Sequence, residues 1–256
     1  MTFREKYGPW AVVAGASEGL GAAFAHALAK RGLHVALLAR REAELRALAT
    51  ELEAAHKVET KVLVTDLATT DFAALRELDV GLGVYNAAYS FVGPLLEKPL
   101  DDALRVVDVN IRGPLKFAHA VGPKLVEKKR GGLILMSSLA GFQGNPRLAT
   151  YAASKAFNIV LAEGLWGELK AHGVDVLASC PGAIRTPNYL KTMADGKEAP
   201  GILDASHVAE SSLDALGGGP TFIPGGVNKL ARFFLGRMLS RRGAVGVMAA
   251  NTRDLQ

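Results

Sequence analysis

Residues 10–21 read Trp-Ala-Val-Val-Ala-Gly-Ala-Ser-Glu-Gly-Leu-Gly. The first five are apolar and suited to a buried strand. The next seven carry glycines at 15, 19 and 21 and lead into a segment of helical composition. Strand, glycine turn and helix in that order bring a helix N-terminus up to an anion at the end of a parallel sheet. Gly15, Gly19 and Gly21 let the backbone turn tightly and approach a pyrophosphate. The free N–H groups and the helix dipole favour that negative charge. Such a turn also serves ordinary helix–strand packing, so its meaning depends on what surrounds it.

The surroundings repeat the same alternation. Short, nearly unbroken apolar runs at 11–14, 34–39, 61–65, 82–85, 133–136, 175–178 and 221–223 read as strands. Amphipathic stretches at 21–31, 42–55, 101–128, 151–172 and 206–216 read as helices. Apolar strands alternating with helices predict an α/β, Rossmann-type doubly wound parallel sheet of about seven strands, covered on both faces. Its crossovers should be right-handed. No internal repeat or long linker divides the chain. The expected organisation is a dinucleotide-binding catalytic domain over 1–224 and a helical extension over 225–256.

Composition narrows the class. The 256 residues are 49% apolar and 21% charged, as in a globular protein. No apolar run reaches the ~18 residues that span a bilayer, and the first ten residues lack the apolar centre of a secretory signal. Cys180 is the one cysteine, which excludes an intrachain disulfide and fits a cytoplasmic location. No metal site is expected. The net charge of +5 comes entirely from residues 229–256, since basic and acidic residues balance in the first 228. With a neutral body, no nucleic-acid partner is expected.

Chemistry enters at Ser138 and at Tyr151-Ala152-Ala153-Ser154-Lys155, behind the strand-like run 132–136. Tyr151 and Lys155 are one helical turn apart and emerge on the same face. A phenol ionises near pH 10, and an ammonium one turn away is expected to lower that value. The pair suits proton exchange with an alcohol or carbonyl oxygen. Cys180 has no identifiable histidine partner and reads as a small buried residue ending a strand.

The second strand ends in Leu38-Ala39-Arg40-Arg41-Glu42. In a doubly wound nucleotide fold, an acidic residue here would accept a hydrogen bond from the ribose 2′-hydroxyl. Arg40 instead suits a 2′-phosphate through charge-assisted hydrogen bonds, so NADP is favoured and NAD is the alternative. Glu18, in the glycine turn, argues mildly against a phosphate nearby.

Together these features resemble the short-chain dehydrogenase/reductase family from about residue 10 to residue 223. Its TGxxxGxG motif appears with Ala14 in place of Thr, and places Gly15, Ser17, Gly19, Leu20 and Gly21 against the dinucleotide. Its NNAG motif appears as Tyr85-Asn86-Ala87-Ala88, departing at the first and last positions. Asp66-Leu67 matches its acidic position after the third strand, which meets the adenine amino group. Asn110, Ser138, Tyr151 and Lys155 match its catalytic asparagine, serine, tyrosine and lysine. Pro181-Gly182-Ala183-Ile184-Arg185-Thr186 matches PGxxxT, which implies that Ile184 and Thr186 hold the nicotinamide carboxamide.

The resemblance implies hydride transfer between NADP and a ketone or secondary alcohol. Tyr151 would donate the proton, Ser138 would bond the oxygen, Lys155 would bind the nicotinamide ribose, and Asn110 would hold a relay water. The alternative function is a nucleotide-binding regulatory protein without turnover, a class that typically loses the tyrosine or lysine kept here. The opening Tyr7-Gly8-Pro9-Trp10 leans towards the branch of 17β-hydroxysteroid dehydrogenases and 3-oxoacyl-thioester reductases. Tyr89, Phe91, Val92, Phe142, Tyr189, Leu190 and Met193 then suggest an apolar entrance. Family members usually pair through the two long helices, so a homodimer or homotetramer is expected.

Residues 229–242 place Leu230, Phe233, Phe234, Met238 and Leu239 at helical spacing, with arginines between them. They read as a basic amphipathic helix. Packing on its own domain or on a second copy is preferred over peripheral contact with an anionic membrane.

Overall fold

The computed structural model describes residues 1–191 and 201–252. Seven of the strands form one parallel sheet: β1 (Trp10–Ala14), β2 (His34–Ala39), β3 (Thr60–Val64), β4 (Val80–Tyr85), β5 (Gly131–Met136), β6 (Val174–Ser179) and β9 (Thr221–Phe222). Their order is β3-β2-β1-β4-β5-β6-β9. A two-stranded ribbon pairs β7 (Ile184–Arg185) with β8 (Leu203–Asp204).

Successive side chains of a strand point to opposite faces, and here both faces are apolar. Ala11, Val13, Leu37, Val84 and Ile134 meet α2 (Gly19–Lys30), α3 (Glu42–His56) and α8 (Ala205–Ala215) in one buried cluster. Val12, Ala14, Leu38, Leu133 and Leu135 meet α5 (Gly113–Lys128) and α6 (Ala149–Leu169) in the other. A Val or Leu fully buried in this way contributes roughly 1.5–3 kcal/mol, so a charge at Val13 would disrupt the first layer. The strand order reverses between β1 and β4, and that reversal opens the crevice where such sheets bind ligands.

Two expected helices divide. The single helix over 101–128 is α4 (Leu100–Val107), a π turn at Asp108–Arg112, and α5. Gly113-Pro114 causes the break, because Pro114 has no N–H to continue the ladder. The helix over 229–242 is α9 (Gly226–Phe233) with a π turn at Phe234–Met238. Ser240 then caps α10 (Arg241–Asn251), its hydroxyl accepting from the Gly243 amide at 3.2 Å. A serine ready to cap a new N-terminus ends the old helix early. A short α1 (Phe3–Tyr7) and α7 (Pro187–Lys191) complete the elements. Met193, Arg253 and Asp254 lie outside the described residues.

Candidate active site

At the end of β1, Gly15 has φ +88 and a Cβ there would lie 2.7 Å from the backbone of Ala87. The glycine turn is thereby pressed onto the residues that follow β4. Asn86 holds the approach, its Nδ2 donating to the Gly15 carbonyl at 3.0 Å, while the amides of Asn86 and Ala87 reach Ala14. Gly21 is needed because a side chain there would collide with that same carbonyl. Leu20 is buried and Ser17 lies at the outer edge of the turn. Glu18 stands at the N-cap of α2 with no side-chain bond to the helix amides. Its carboxylate instead meets Arg41 at 3.0 Å, and Arg41 also donates to Ser17 Oγ at 2.8 Å. The helix N-terminus is therefore left open to an anion, as a dinucleotide site requires.

The same pairing settles the competing charges at this edge. Arg41 neutralises Glu18, while Arg40 is exposed and has no ion pair among the described residues. Asp66 accepts from the Ala68 amide at 3.0 Å and faces Arg105 at 3.5 Å, with Leu67 buried behind it. Across the cleft, the Pro181 carbonyl accepts from the Leu139 amide at 2.9 Å. Gly182 leaves room for Asn228 of α9. Ile184 is half-buried in β7. Thr186 accepts from the Tyr189 amide at 3.2 Å, and its methyl would lie 3.2 Å from a Cβ at Gly19. Thr186 thus faces the glycine turn.

The chemical groups meet where β5 ends against α6. Ser138 leaves the strand extended and starts a short turn, its Oγ accepting from the Ala140 amide at 3.2 Å. Gly141 lets that turn rest on α6, since a Cβ there would come within 2.7 Å of the Lys155 backbone. Lys155 is 2% exposed, and its Nζ donates to the Met136 carbonyl at 2.9 Å. The ammonium lies 5.5 Å from the Tyr151 ring centroid. Ser137 donates to the Lys155 carbonyl at 2.7 Å. Asn110, wholly buried on the π turn, donates to the Tyr89 carbonyl at 2.9 Å and to Ser154 Oγ at 3.0 Å. Its Oδ1 accepts from the Tyr89 amide at 2.8 Å. Ser154 passes the chain on to the Tyr151 carbonyl at 2.7 Å.

Electrostatics corrects one expectation. Burial raises the Tyr151 pKa above the ordinary phenol value, and the Ser138 hydroxyl only partly opposes it. Lys155 does not bring it down, because its ammonium faces the ring and the Met136 carbonyl. Burial also weakens that ammonium, lowering its pKa to about 8. Tyr151 therefore holds its proton at neutral pH. Burial pushes the Cys180 thiol up as well, to about 12, and leaves it inert.

Spacing alone did not single out Ser137, Ser154, Gly141 or Tyr85. Ser154 was the most accessible of these, being three residues from Tyr151 on the same helix. Two of the side chains expected at the entrance have charged neighbours. Tyr89 donates to Asp102 at 2.9 Å, and Arg105 lies 5.3 Å from the Tyr89 ring. Phe142 has Arg232 over its face at 4.2 Å. Among the described residues there is no group of three metal-ligating side chains, and no helix long and apolar enough to cross a membrane.

Residues 9–196 match the family model described as short chain dehydrogenase. The chain is 34% identical over 235 residues to the 7beta-hydroxysteroid dehydrogenase of Clostridium sardiniense, covering 90% of each. Its fold is similar to that in a structure titled as insights into 7beta-hydroxysteroid dehydrogenase stereoselectivity. The TM-score is 0.90 at 29% identity, covering 97% of this chain and 99% of the other. A short-chain dehydrogenase from Sphingobium yanoikuyae in complex with NADPH matches with TM-score 0.77 at 27% identity, covering 84% and 86%.

Proposed function

Because the chain belongs to the short-chain dehydrogenases, we propose that it is an NADP-dependent enzyme interconverting a bulky apolar ketone and its secondary alcohol. Nicotinamide-dependent oxidoreduction at a carbonyl or alcohol carbon follows from the family; the choice of NADP and of substrate is this proposal. The observation that carries it is the convergence of Ser138, Tyr151, Lys155 and Asn110 beside an open glycine turn. NADP is supported by Arg40, which stays available for a 2′-phosphate while Arg41 occupies Glu18. NAD is the alternative.

The residues fit the cofactor. Gly15, Ser17, Gly19, Leu20 and Gly21 would hold the pyrophosphate, Arg40 the 2′-phosphate, and Asp66 and Leu67 the adenine. Asn86, Ala87, Pro181, Gly182, Ile184 and Thr186 would enclose the nicotinamide side. When bound, NADPH supplies the hydride, and the protein provides orientation and proton chemistry.

In reduction, the Ser138 hydroxyl bonds the substrate oxygen and orients the carbonyl. Tyr151, protonated at neutral pH, gives its proton to that oxygen as negative charge develops. Lys155, held by the Met136 carbonyl, would bind the nicotinamide ribose. Asn110 heads the path that returns a proton from solvent. In oxidation the same groups act in reverse, and the phenolate takes the alcohol proton.

Similarity to 7beta-hydroxysteroid dehydrogenases over nearly the whole chain supports a polycyclic, steroid-like alcohol as substrate. We place the binding wall at Phe142 and the C-terminal helices. Exposed Leu115 and Val160 on α5 and α6 support a homo-oligomer joined through those helices. The test is NADPH and NADH oxidation with oxosteroids, 3-oxoacyl thioesters, quinones and small ketones. Turnover is expected with NADPH and oxosteroids. No oxidation of either cofactor with any ketone would support the non-enzymatic regulatory alternative.

A further inference from the structure

We propose, resting on the relay role given to Asn110, that Tyr85 is a positioning residue for proton return: its hydroxyl holds the π turn that seats Asn110. The turn at Asp108–Arg112 carries the Gly113 amide back to the Asp108 carbonyl, five residues earlier. In an α-helix that amide would reach Val109 instead. In the π register the donor for Val109 would be the amide of residue 114, and Pro114 has none. The Val109 carbonyl thus loses both of its possible partners along the chain. Val109 is buried, and water is a poor substitute there.

Tyr85 fills the gap. It ends β4 at 1% exposed, and its hydroxyl donates to the Val109 carbonyl at 2.6 Å. Gly113 makes room, because a Cβ there would overlap the hydroxyl. Tyr85, Gly113 and Pro114 therefore specify one turn together: Pro114 removes the chain donor, Gly113 opens the space, and Tyr85 supplies the replacement.

The turn matters because of what it carries. Asn110 is wholly buried and fixed to both backbone groups of Tyr89 and to Ser154. Tyr89 lies four residues beyond Tyr85. The end of β4 thus supplies both the hydroxyl that fixes the turn and the backbone that receives the amide. Where the family motif has asparagine, this chain has a longer side chain that reaches the turn across the layer. Without the hydroxyl, the Gly113 amide is free to return to Val109. That register change rotates Asn110 out of line with Ser154 and Tyr151.

The test is Tyr85→Phe, which keeps the ring against Phe117, 5.6 Å away between centroids, and removes only the hydroxyl. The expected result is kcat lower by tenfold or more, with NADPH Kd and ketone KM within threefold of wild type. In an Asn110→Ala background the same change should alter kcat by less than twofold, since the step it serves is already lost. Gly113→Ala, which drives the hydroxyl off Val109 while keeping Tyr85, should lower kcat similarly and serves if the first variant does not fold. A Tyr85→Phe enzyme with kcat within twofold of wild type overturns the proposal. So does a loss that persists undiminished in the Asn110→Ala background, or one matched by an equal loss of NADPH affinity. An Asn110→Ala enzyme with wild-type kcat rejects the relay itself and this proposal with it; a slow Asn110→Ala beside a fast Tyr85→Phe rejects the proposal alone.

Discussion

The inner wall of the cleft and its rim follow opposite rules of burial. In the wall, where α6 faces the π turn and the end of β5, Asn110, Ser137, Ser154 and Lys155 are all buried and each has a hydrogen-bond partner. Along the rim, Arg40 stands in solvent, and α9 and its π turn expose Leu230, Phe233, Phe234 and Met238. Residues 226–252 carry five basic residues and no acidic one. Buried polar groups need partners, so the wall is rigidly specified and intolerant of change. Exposed groups are screened and mobile, so the rim should tune affinity and selectivity by smaller amounts.

That contrast orders the expected effects. Tyr151→Phe removes the proposed proton donor and should lower kcat by about 10³-fold, with NADPH Kd, followed by fluorescence titration, within twofold of wild type. A kcat within tenfold of wild type would place the acid elsewhere. At the rim, Arg40→Ala should cut kcat/KM for NADPH by roughly 10–100-fold, the size of a charge-assisted contact. The NADH value should hardly change; equal losses with both cofactors would remove Arg40 from the 2′-phosphate.

Stability sharpens the comparison, because the wall is maintained at a thermodynamic cost. The Lys155 pKa falls from 10.5 unfolded to about 8 folded. Below pH 8 both states are protonated, and burial of the charge opposes folding by about 3 kcal/mol. Between pH 8 and 10.5 the unfolded chain binds the extra proton, so wild-type stability gains with rising pH. Lys155→Met should abolish turnover yet raise stability at pH 7 by about 2 kcal/mol, after about 1 kcal/mol for the lost bond to Met136. In thermal melts this is a Tm increase of about 5 °C, shrinking from pH 7.5 to 9.5. A lower Tm at pH 7 would show that the buried ammonium stabilises the fold. The smallest effect belongs to Arg232→Ala, which frees the face of Phe142. A lost cation–π contact of about 0.5–1 kcal/mol predicts a ketone KM changed by roughly two- to fivefold, with kcat retained. A change in kcat alone would detach Phe142 from substrate binding.

Much of this was legible along the chain. The strand runs, the glycines at 15, 19 and 21, and the spacing of Tyr151 and Lys155 are local patterns, and the structure places all of them as those patterns require. The helix expected over 101–128 misled because its periodicity continues across Gly113-Pro114. That dipeptide was the available signal for a break. The helix expected over 229–242 stopped early at Ser240 for an equally local reason.

Residue order by itself marked the strand runs, the glycine turn and the shared face of phenol and amine, because each depends on neighbours within a turn or a strand. Only the tertiary structure decided that Arg41 neutralises Glu18 and leaves Arg40 available, that Lys155 faces Met136 rather than acidifying Tyr151, and that Tyr85 secures the turn carrying Asn110. Those outcomes join groups 19 to 24 positions apart. They depend on desolvation and on which polar group finds a partner once the layers close, and neither quantity exists until the chain has folded.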